Sequence, residues 1–463
     1  MKKITITLLS LLTVVCLLFF GCSKTESREV FTIEKTSTIG LIDVYTVYYT
    51  DGTTSTFEIA NGKNGDDITI EDVYERYKLE YGEISYADFL SHYLSFENND
   101  YTIIGNCLLS SAKVYSEFTE VSYSYRPMGG VSTNTLTTIY TGSSVIYSID
   151  EDFTYFITNY HVVYNANATS NISDKINCYL YGSEAEPTEI SSNEYDYGEY
   201  AIACEFVAGS VTYDIAVLKA KTSEVKAIND SVQAVEFAQD YYVGQTAIAI
   251  GNPDDAGLSV TKGIISVDNE YISLNIDGMA REYRSIRMDT ALYSGNSGGG
   301  LFNEKGELIG INNAGNTEQQ NINYAIPISI VRGVVENIMY YYSDGKDETN
   351  GVYKATIGIS VSTEKSKYVY NEILGYGKIV ENVMISDVSS GSIANALGLQ
   401  VGDRLVSIQI GNTAYELNRY YDVSDSILLL TVGKEFFMRY ERDGVEYTTE
   451  EYRIKESDVS VIK

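Results

Sequence analysis

The sequence predicts a mostly β protein, and three observations carry this prediction. From about residue 106 to 340, short apolar runs of β type are separated by turns, which favours a barrel or a sandwich. Residues 36–67, TSTIGLIDVYTVYYTDGTTSTFEIANGKNGDD, alternate apolar and polar side chains on either side of Asp51-Gly52, which is a strong hairpin signal. Tyrosine is abundant, with 42 residues and no tryptophan, and tyrosine suits a half-buried pleated surface. With 463 residues, the chain is long enough for about two to four domains.

The charge of the chain is strongly acidic. Lys and Arg number 33 against 64 Asp and Glu, a formal net charge of −31. A nucleic-acid duplex carries the same sign of charge and is repelled by such a field. We therefore expect no nucleic-acid partner.

The first 24 residues, MKKITITLLSLLTVVCLLFFGCSK, have the pattern of an export signal. Lys2 and Lys3 are followed by the apolar residues 4–20 and then by Gly21 and Cys22. The FFGC ending resembles a bacterial lipobox, in which cleavage leaves Cys22 as a diacylated N-terminus. This predicts a signal peptide over residues 1–21 and an extracytoplasmic protein anchored to the cell membrane by lipid. An uncleaved anchor helix is the alternative, and it implies the same outside location.

Residues 22–105 are predicted to form a small N-terminal surface module and linker. The hairpin around Asp51-Gly52 is followed by a loop, and residues 71–95 have helical spacing. This module carries no chemical motif. Beyond Cys22, the thiols of Cys107, Cys178 and Cys204 can form at most one disulfide, and no CxxC pair or Cys/His cluster predicts a metal site.

The rest of the chain divides into two parts. Residues 106–342 hold the β-type runs, an acidic insertion at 191–200 predicted as an exposed loop, and a closing helix over 327–342 after a proline. Residues 342–351, YSDGKDETNG, form a linker by composition. The last segment mixes strands with one short helix, and its predicted domain covers residues 352–455.

The candidate chemistry centres on Ser297 in the run SGNSGGGLF. A serine hydroxyl is a poor nucleophile until a base takes its proton and a further group orients that base. The chain has two histidines, and His92 falls in the N-terminal module, so His161 is the plausible base. Asp214 heads an otherwise apolar strand, where an unpaired charge would be costly to bury. In the alternative interpretation, without catalysis, Ser297 is a turn residue, Asp214 a strand cap and His161 a surface residue.

The chain order His161, Asp214, Ser297 is that of the chymotrypsin-like arrangement. Four segments in the same order resemble the HtrA (Deg) serine protease family, and they are FITNYHVV, DIAVLKA, GNPDDAGLSVTKGIIS and DTALYSGNSGGGLFNEKGELIGINN. The resemblance covers roughly residues 142–327. It implies a chymotrypsin-like double six-stranded β-barrel protease domain over residues 106–342.

The resemblance also implies roles for these residues. Ser297 attacks the scissile carbonyl, His161 takes and returns the proton, and Asp214 holds the imidazole. The backbone N–H groups of Gly295 and Ser297 form the oxyanion hole, because glycine permits the backbone turns that make two donors converge. No cofactor or metal is required, and an assembly into homotrimers is implied.

The substrate pocket is predicted from the position six residues before Ser297. Ala291 stands where trypsin-like enzymes with basic specificity carry an acid, and Asp289 lies two residues further back. We expect an uncharged pocket. It is shaped by Ala291 and Leu292 and by the strand that contains Asn313 and Ala314, and it favours small or medium aliphatic side chains.

The C-terminal segment resembles a PDZ domain. Residues 384–412, MISDVSSGSIANALGLQVGDRLVSIQIGN, have the pattern of strand, turn, short helix, turn and strand. The run TIGIS resembles the loop that receives a peptide carboxylate, which makes Ile357, Gly358 and Ile359 candidate peptide-binding residues. Such a domain adds an extended peptide to its sheet edge. A structural β-domain without a ligand is the alternative.

Together these features predict a membrane-anchored extracytoplasmic serine endopeptidase. Its expected partners are misfolded or exposed polypeptides as substrates and peptide C-termini at the PDZ domain. Two alternatives stay open: a regulatory protease activated by a PDZ ligand, and a catalytically silent peptide-binding chaperone lipoprotein.

Overall fold

The computed structural model describes residues 30–39, 42–50, 53–60, 74–75, 78, 86, 100–126, 130–315, 321–343, 345, 351–371 and 376–462. The chain divides into two compact units, Met1–Asn98 and Asn99–Lys463. The predicted signal segment, Cys22 and most of the predicted helix over 71–95 lie outside the described residues.

The first unit contains a three-stranded antiparallel sheet. Its strands are β1 (Val30–Ile39), β2 (Ile42–Tyr49) and β3 (Thr54–Ala60), paired in the order β1-β2-β3. Strands β2 and β3 pair with Tyr48 opposite Thr54, which is the hairpin that the alternation around Asp51-Gly52 predicts.

The second unit begins with helix α1 (Asp100–Leu109). Cys107 on this helix is buried and donates to the carbonyl of Gly306 across 3.8 Å. The helix thus packs with the β-strands that follow. The boundary between the units, at residues 98 and 99, falls earlier than the predicted boundary at residues 105 and 106.

Six strands close the first barrel in the order β10-β11-β6-β5-β4-β7. The strands of this half of the chain are β4 (Ser111–Arg126), β5 (Gly130–Ile149), β6 (Phe153–Thr158), β7 (Lys175–Leu180), β8 (Thr188–Ser191), β9 (Glu194–Asp196), β10 (Ile202–Ser210) and β11 (Ile215–Lys221). Two short helices, α2 (Tyr160–Val163) and α3 (Thr222–Ile228), follow β6 and β11.

The apolar run of β11 shows why such strands are buried on both faces. Ile215 and Val217 join the large core cluster that extends into the second barrel, whereas Ala216 and Leu218 join the cluster inside the first barrel. A strand between two cores needs apolar residues at every position, and so it lacks the alternation of a half-exposed strand.

The acidic insertion differs from the predicted loop. Strands β8 and β9 form an exposed hairpin there, and the chain returns to the barrel at Tyr197, which is buried. The Tyr197 hydroxyl donates to Glu117 Oε2 across 2.6 Å. A buried tyrosine hydroxyl needs a partner of this kind, and the contact ties the insertion to β4.

The second barrel closes in the order β12-β13-β14-β17-β16-β15. Its strands are β12 (Thr246–Gly251), β13 (Ser259–Asn275), β14 (Ala280–Met288), β15 (Gly300–Phe302), β16 (Leu308–Gly315) and β17 (Asn323–Pro327). Two closed six-stranded barrels are the architecture that the resemblance implies. Helix α4 (Ile328–Ser343) follows directly after Pro327, and its apolar face, including Val331, Val334 and Ile338, is fully buried, as the spacing predicts.

The C-terminal part forms its own core within the second unit. Its sheet runs β19-β20-β21-β23-β24, with β22 paired to β21 and β25 to β23, and β18 pairs separately with β26. The elements are β18 (Val352–Ala355), β19 (Ile359–Asn371), β20 (Tyr376–Val388), α5 (Ile393–Ala396), β21 (Arg404–Ile410), β22 (Thr413–Glu416), α6 (Tyr420–Ile427), β23 (Glu435–Arg442), β24 (Val445–Thr448), β25 (Tyr452–Arg453) and β26 (Val459–Ile462). Strand β20, helix α5 and strand β21 follow the predicted order of strand, turn, short helix, turn and strand.

Within the described parts of the chain, no helix has the length and apolar character to cross a membrane.

Candidate active site

His161 lies in the short helix α2, directly after the buried strand β6. Asn159 follows the last residue of the strand, and its side-chain Nδ2 donates to the backbone carbonyl of Asp214 across 2.9 Å. This contact joins the end of β6 to the loop that follows β10. The side chain of His161 keeps 31% of its surface exposed, so that the ring can be reached from outside the barrel.

Asp214 is completely buried and has a left-handed backbone, with φ of 52°. Asp is one of the few residue types that tolerate this conformation. Its carboxylate accepts three hydrogen bonds: from the backbone N–H of His161 across 2.9 Å, from His161 Nδ1 across 2.8 Å and from Asn313 Nδ2 across 3.1 Å. A buried carboxylate held by three donors stays in one orientation.

The Asp214 carboxylate determines the state of the imidazole. Because Nδ1 faces this acceptor, Nδ1 carries the proton and Nε2 of the neutral ring is free to accept one. Burial of the ring favours the neutral form, but the charge of Asp214 and its hydrogen bond outweigh burial, so that the pKa of His161 is raised. The ring can therefore act as a base that is strengthened by its partner.

Ser297 lies in the loop between β14 and β15. Its hydroxyl donates to the backbone carbonyl of Asn313 across 3.0 Å, and its own carbonyl accepts from the N–H of Ser143 across 2.8 Å. Among the described residues, the hydroxyl makes no hydrogen bond to His161. Rotation about one side-chain bond takes the hydroxyl off Asn313, and catalytic hydrogen bonds commonly tighten only when substrate binds.

The glycines around Ser297 have the backbone freedom that the prediction requires. Gly295 has φ of 93°, and a Cβ there would lie 2.1 Å from the carbonyl oxygen of Asn252. The carbonyl of Ser294 accepts from Asp254 N–H across 2.7 Å, and that of Asn296 accepts from Gly299 N–H across 3.0 Å.

These two bonds orient the neighbouring amides. In a trans peptide the N–H points opposite to the C=O, so the N–H groups of Gly295 and Ser297 point away from these two contacts. In the described part of the chain neither N–H donates to a protein acceptor. The serine and the residue two positions before it thus each have a spare backbone donor, and these are the two donors of the predicted oxyanion hole.

The predicted pocket residues have different surroundings. Ala291 accepts from Thr261 Oγ1 at its carbonyl across 2.9 Å, and both Ala291 and Ala314 are partly exposed. Leu292 is buried in the second-barrel core. Asp289 accepts from Ile264 N–H across 2.7 Å and is held against β13.

Asn313, a predicted pocket residue, also makes two contacts at the catalytic residues. Its amide holds Asp214, and its carbonyl holds the Ser297 hydroxyl, so that it joins the acid to the serine. Sequence reasoning also missed Asn159 and Ser143. Asn159 had a usable signal, because it is a buried polar residue at the end of an apolar strand and such a residue needs a partner.

The predicted peptide-binding loop begins strand β19. The carbonyl of Ile357 accepts from Ala394 N–H, and that of Gly358 accepts from Ser389 N–H, both across 2.9 Å. Because each peptide group is planar and trans, the N–H groups of Gly358 and Ile359 point away from those contacts. Gly358 has φ of 80°, and a Cβ there would lie 2.2 Å from the Ser392 side chain. Strand β19 ends the strand order of its sheet in the described residues.

Two closed β-barrels, with a histidine and a buried aspartate on the first and a serine on the second, define a trypsin-like peptidase. A family model for the trypsin-like peptidase domain matches residues 142–311. This range contains His161, Asp214 and Ser297.

Proteins of similar sequence fall in the same class. The serine endoprotease DegS of Haemophilus influenzae is 32% identical over 286 residues, which cover 60% of this chain and 67% of the relative. The serine protease Do-like HtrA of Lactococcus lactis is 26% identical over 320 residues, covering 67% of this chain and 69% of the relative. The chain belongs to the HtrA family of trypsin-like serine proteases, and it is a serine endopeptidase.

A similar solved structure is the HtrA-type protease AlgW with decapeptide. It is 22% identical and covers 78% of this chain and 98% of that chain, with a TM-score of 0.44.

Proposed function

We propose that the protein is a membrane-anchored extracytoplasmic endopeptidase that cleaves misfolded or exposed polypeptides through Ser297, His161 and Asp214. The single observation that carries the three roles is the buried Asp214 carboxylate, which holds His161 Nδ1 at 2.8 Å and leaves Nε2 to act as the base. Ser297 attacks the scissile carbonyl after giving its proton to that nitrogen, and His161 returns the proton to the leaving amine.

The oxyanion of the tetrahedral intermediate is bound by the N–H groups of Gly295 and Ser297. Both groups point away from the carbonyl contacts of their own peptide planes and donate to no acceptor in the described residues, which supports this role. Donors that are oriented before the reaction stabilise developing charge most effectively.

The decisive experiment compares the full chain with its Ser297→Ala variant on unfolded casein. We expect the wild type to digest casein and the variant to be slower by roughly 10⁴-fold or more, because the nucleophile is lost. Equal digestion by both proteins would contradict the proposal and favour the silent peptide-binding chaperone. A fluorophosphonate probe should label the wild type and not the variant.

The C-terminal part is proposed to be a PDZ domain that binds peptide C-termini. The proposal is supported by strand β19 at the end of its sheet and by the amides of Gly358 and Ile359 at the start of that strand. A peptide strand adds to such an edge, and its carboxylate takes the amides of the loop. A fluorescent peptide with a hydrophobic C-terminal residue should bind, and the same peptide with an amidated C-terminus should not.

A second candidate, a regulatory protease activated through this domain, has its own support. Helix α6 lies close to β19, and Asp425 on this helix forms a buried ion pair with Arg284 on β14 of the second barrel. Arg419, directly before α6, pairs with Asp268 of β13 across 2.5 Å. A peptide that moves α6 therefore acts on the protease barrel. Under this second function, C-terminal peptides raise the rate on a small substrate sharply, whereas a general degradation enzyme responds little.

The anchor and the assembly belong to the same proposal. Lipid on Cys22 would attach the protein to the membrane outside the cytoplasm, and a Cys22→Ala variant should then leave the membrane fraction for the soluble fraction. Homotrimers are the assembly we propose, and light scattering on the purified protein measures the mass of that assembly.

A further inference from the structure

A lysine is buried in the first barrel and pairs with the loop that follows β12 of the second barrel. Lys113 on β4 keeps only 2% of its side chain exposed, and its Nζ lies 3.2 Å from Asp255 Oδ1. A buried ammonium is retained in a protein only with an opposite charge beside it. This ion pair therefore joins the two barrels at a defined point.

Asp255 Oδ1 is the centre of a larger cluster. It accepts from the Tyr115 hydroxyl across 2.5 Å, from Asn252 Nδ2 across 2.9 Å and from Thr141 Oγ1 across 3.3 Å. Burial raises the pKa of Asp255, but these hydrogen bonds and the charge of Lys113 outweigh burial and hold the pKa below its usual value. The carboxylate therefore stays ionised throughout the neutral pH range.

The cluster holds a strained backbone. Asp254 and Asp255 have φ of 49° and 61°, in the left-handed region that favours glycine. Aspartate tolerates this conformation as a single residue, but two in succession persist only when surrounding contacts impose the conformation. Asp255 supplies those contacts through its carboxylate, so the shape of residues 252–255 depends on the ion pair.

The same residues hold the loop that contains Ser297, residues 289–299, which we call the serine loop. Asp254 N–H donates to the carbonyl of Ser294 across 2.7 Å. Asn252 N–H donates to Ser143 Oγ across 2.9 Å, and Ser143 Oγ donates to the carbonyl of Gly295 across 2.8 Å. The cluster thus fixes the carbonyls of Ser294 and Gly295, two successive residues of the serine loop.

The first of these bonds determines the direction of one oxyanion donor. While Ser294 C=O points to Asp254, the N–H of Gly295 points the opposite way, because both belong to one planar peptide. Rotation of this peptide would break the bond to Asp254 and withdraw the donor. Gly295 itself cannot be replaced, since a Cβ would lie 2.1 Å from Asn252 O.

We propose that Lys113 and Asp255 are positioning residues that keep the Gly295 N–H directed into the oxyanion hole by fixing residues 252–255. The inference rests on the proposed catalytic role of Ser297. The pair touches no substrate, and it acts through Asp254 and Ser143 on the backbone of the serine loop.

The test is Asp255→Asn in the full chain, assayed on a fluorogenic peptide substrate. We expect kcat to fall by roughly 10²-fold, the size of effect that follows loss of one oxyanion donor. KM should change little, because the ground state of the substrate does not use this donor. The inhibition constant of a peptide boronic acid, whose serine adduct places an oxygen in the oxyanion hole, should rise in parallel with the loss of kcat.

A matched control lies on β4, the strand that contains Lys113. Glu117 on β4 also pairs with a lysine, Lys175 at 2.8 Å, and also accepts from a tyrosine hydroxyl, that of Tyr197 at 2.6 Å. Glu117→Gln makes the same chemical change away from the serine loop, and it should leave kcat and the boronic acid inhibition constant unchanged.

Either of two results with the amide variants would overturn the inference: a folded Asp255→Asn enzyme with the kcat of wild type, or an equal loss of kcat in Glu117→Gln. Ser143→Ala gives an independent measurement if Asp255→Asn fails to fold, because it removes the hydroxyl that links Asn252 N–H to the carbonyl of Gly295. Its kcat should fall while KM stays constant, and an unchanged kcat in this variant also overturns the inference. Failure of the proposed function gives a different result from failure of this inference, because wild type and Ser297→Ala would then be equally inactive.

Discussion

Asp214 and Asp425 are both buried carboxylates that face a basic side chain, yet they serve different purposes. Asp214 is fully buried and Asp425 is 8% exposed. Each also accepts from a neutral donor, Asn313 in the first case and Ser329 at 2.6 Å in the second. Burial and hydrogen bonding of the acid therefore do not distinguish a catalytic site from a structural contact.

The partners of the two acids make the difference. His161 can release a proton near neutral pH and keeps 31% of its side chain exposed. Arg284 cannot release its proton and keeps only 4% exposed. An acid becomes part of a proton-transfer site only when its partner can exchange a proton and can reach substrate.

Among the changes that test this comparison, Asp214→Asn has the largest expected effect. The amide reverses the preferred tautomer of His161, so that Nε2 carries the proton and cannot act as the base, and kcat should fall by about 10⁴-fold. The measurement is kcat on a fluorogenic peptide at neutral pH. Asp289→Asn is the control, because that carboxylate is held by Ile264 N–H and should be dispensable. Similar rates for the two variants would remove Asp214 from the mechanism.

Asp425→Asn should act on stability and not on the chemistry. The substitution leaves the buried Arg284 without a charged partner, and breaking such a pair lowers the free energy of unfolding by about 3 kcal/mol. Urea denaturation followed by fluorescence measures the change. Glu224→Gln, which breaks the exposed pair with Lys221, should have no measurable effect. An Asp425→Asn protein as stable as the wild type would show that the contact between helix α6 and the second barrel does not depend on this ion pair.

The smallest effect is a shift of the pH profile. Because the pKa of His161 is raised, the protonated ring persists to higher pH, and the base form appears only as the pH rises through that raised value. The acid limb of kcat/KM should therefore have its midpoint above the ordinary histidine value of about 6.5. A profile measured from about pH 5 to pH 9 tests this, and a midpoint below the ordinary value is incompatible with a charged Asp214 beside the ring.

The structure agrees with the sequence-based predictions most closely where a local pattern has one physical solution. The hairpin of β2 and β3 follows from alternation around Asp51-Gly52. Helix α4 follows from apolar spacing after Pro327. The predicted exposed loop at 191–200 differed because Tyr197 is anchored by Glu117, a residue far away in the chain.

The same distinction applies to the site. His161, Asp214 and Ser297 could be selected from the sequence because a serine mechanism needs one base and one acid, and the chain offers few histidines. Asn313 was assigned to the pocket because the sequence shows only its place on a strand. Its contact with Asp214 depends on how two barrels meet.

The sequence by itself determined the type of elements, the reacting residue types and their order, since these depend on local patterns and on intrinsic chemistry. Only the tertiary structure decided the direction of the Gly295 amide, the link between Lys113 and Asp255, and the attachment of helix α6 to the second barrel. The physical reason is that a hydrogen bond or buried ion pair between distant segments needs atoms brought within about 3 Å, and no periodicity along a chain encodes that distance.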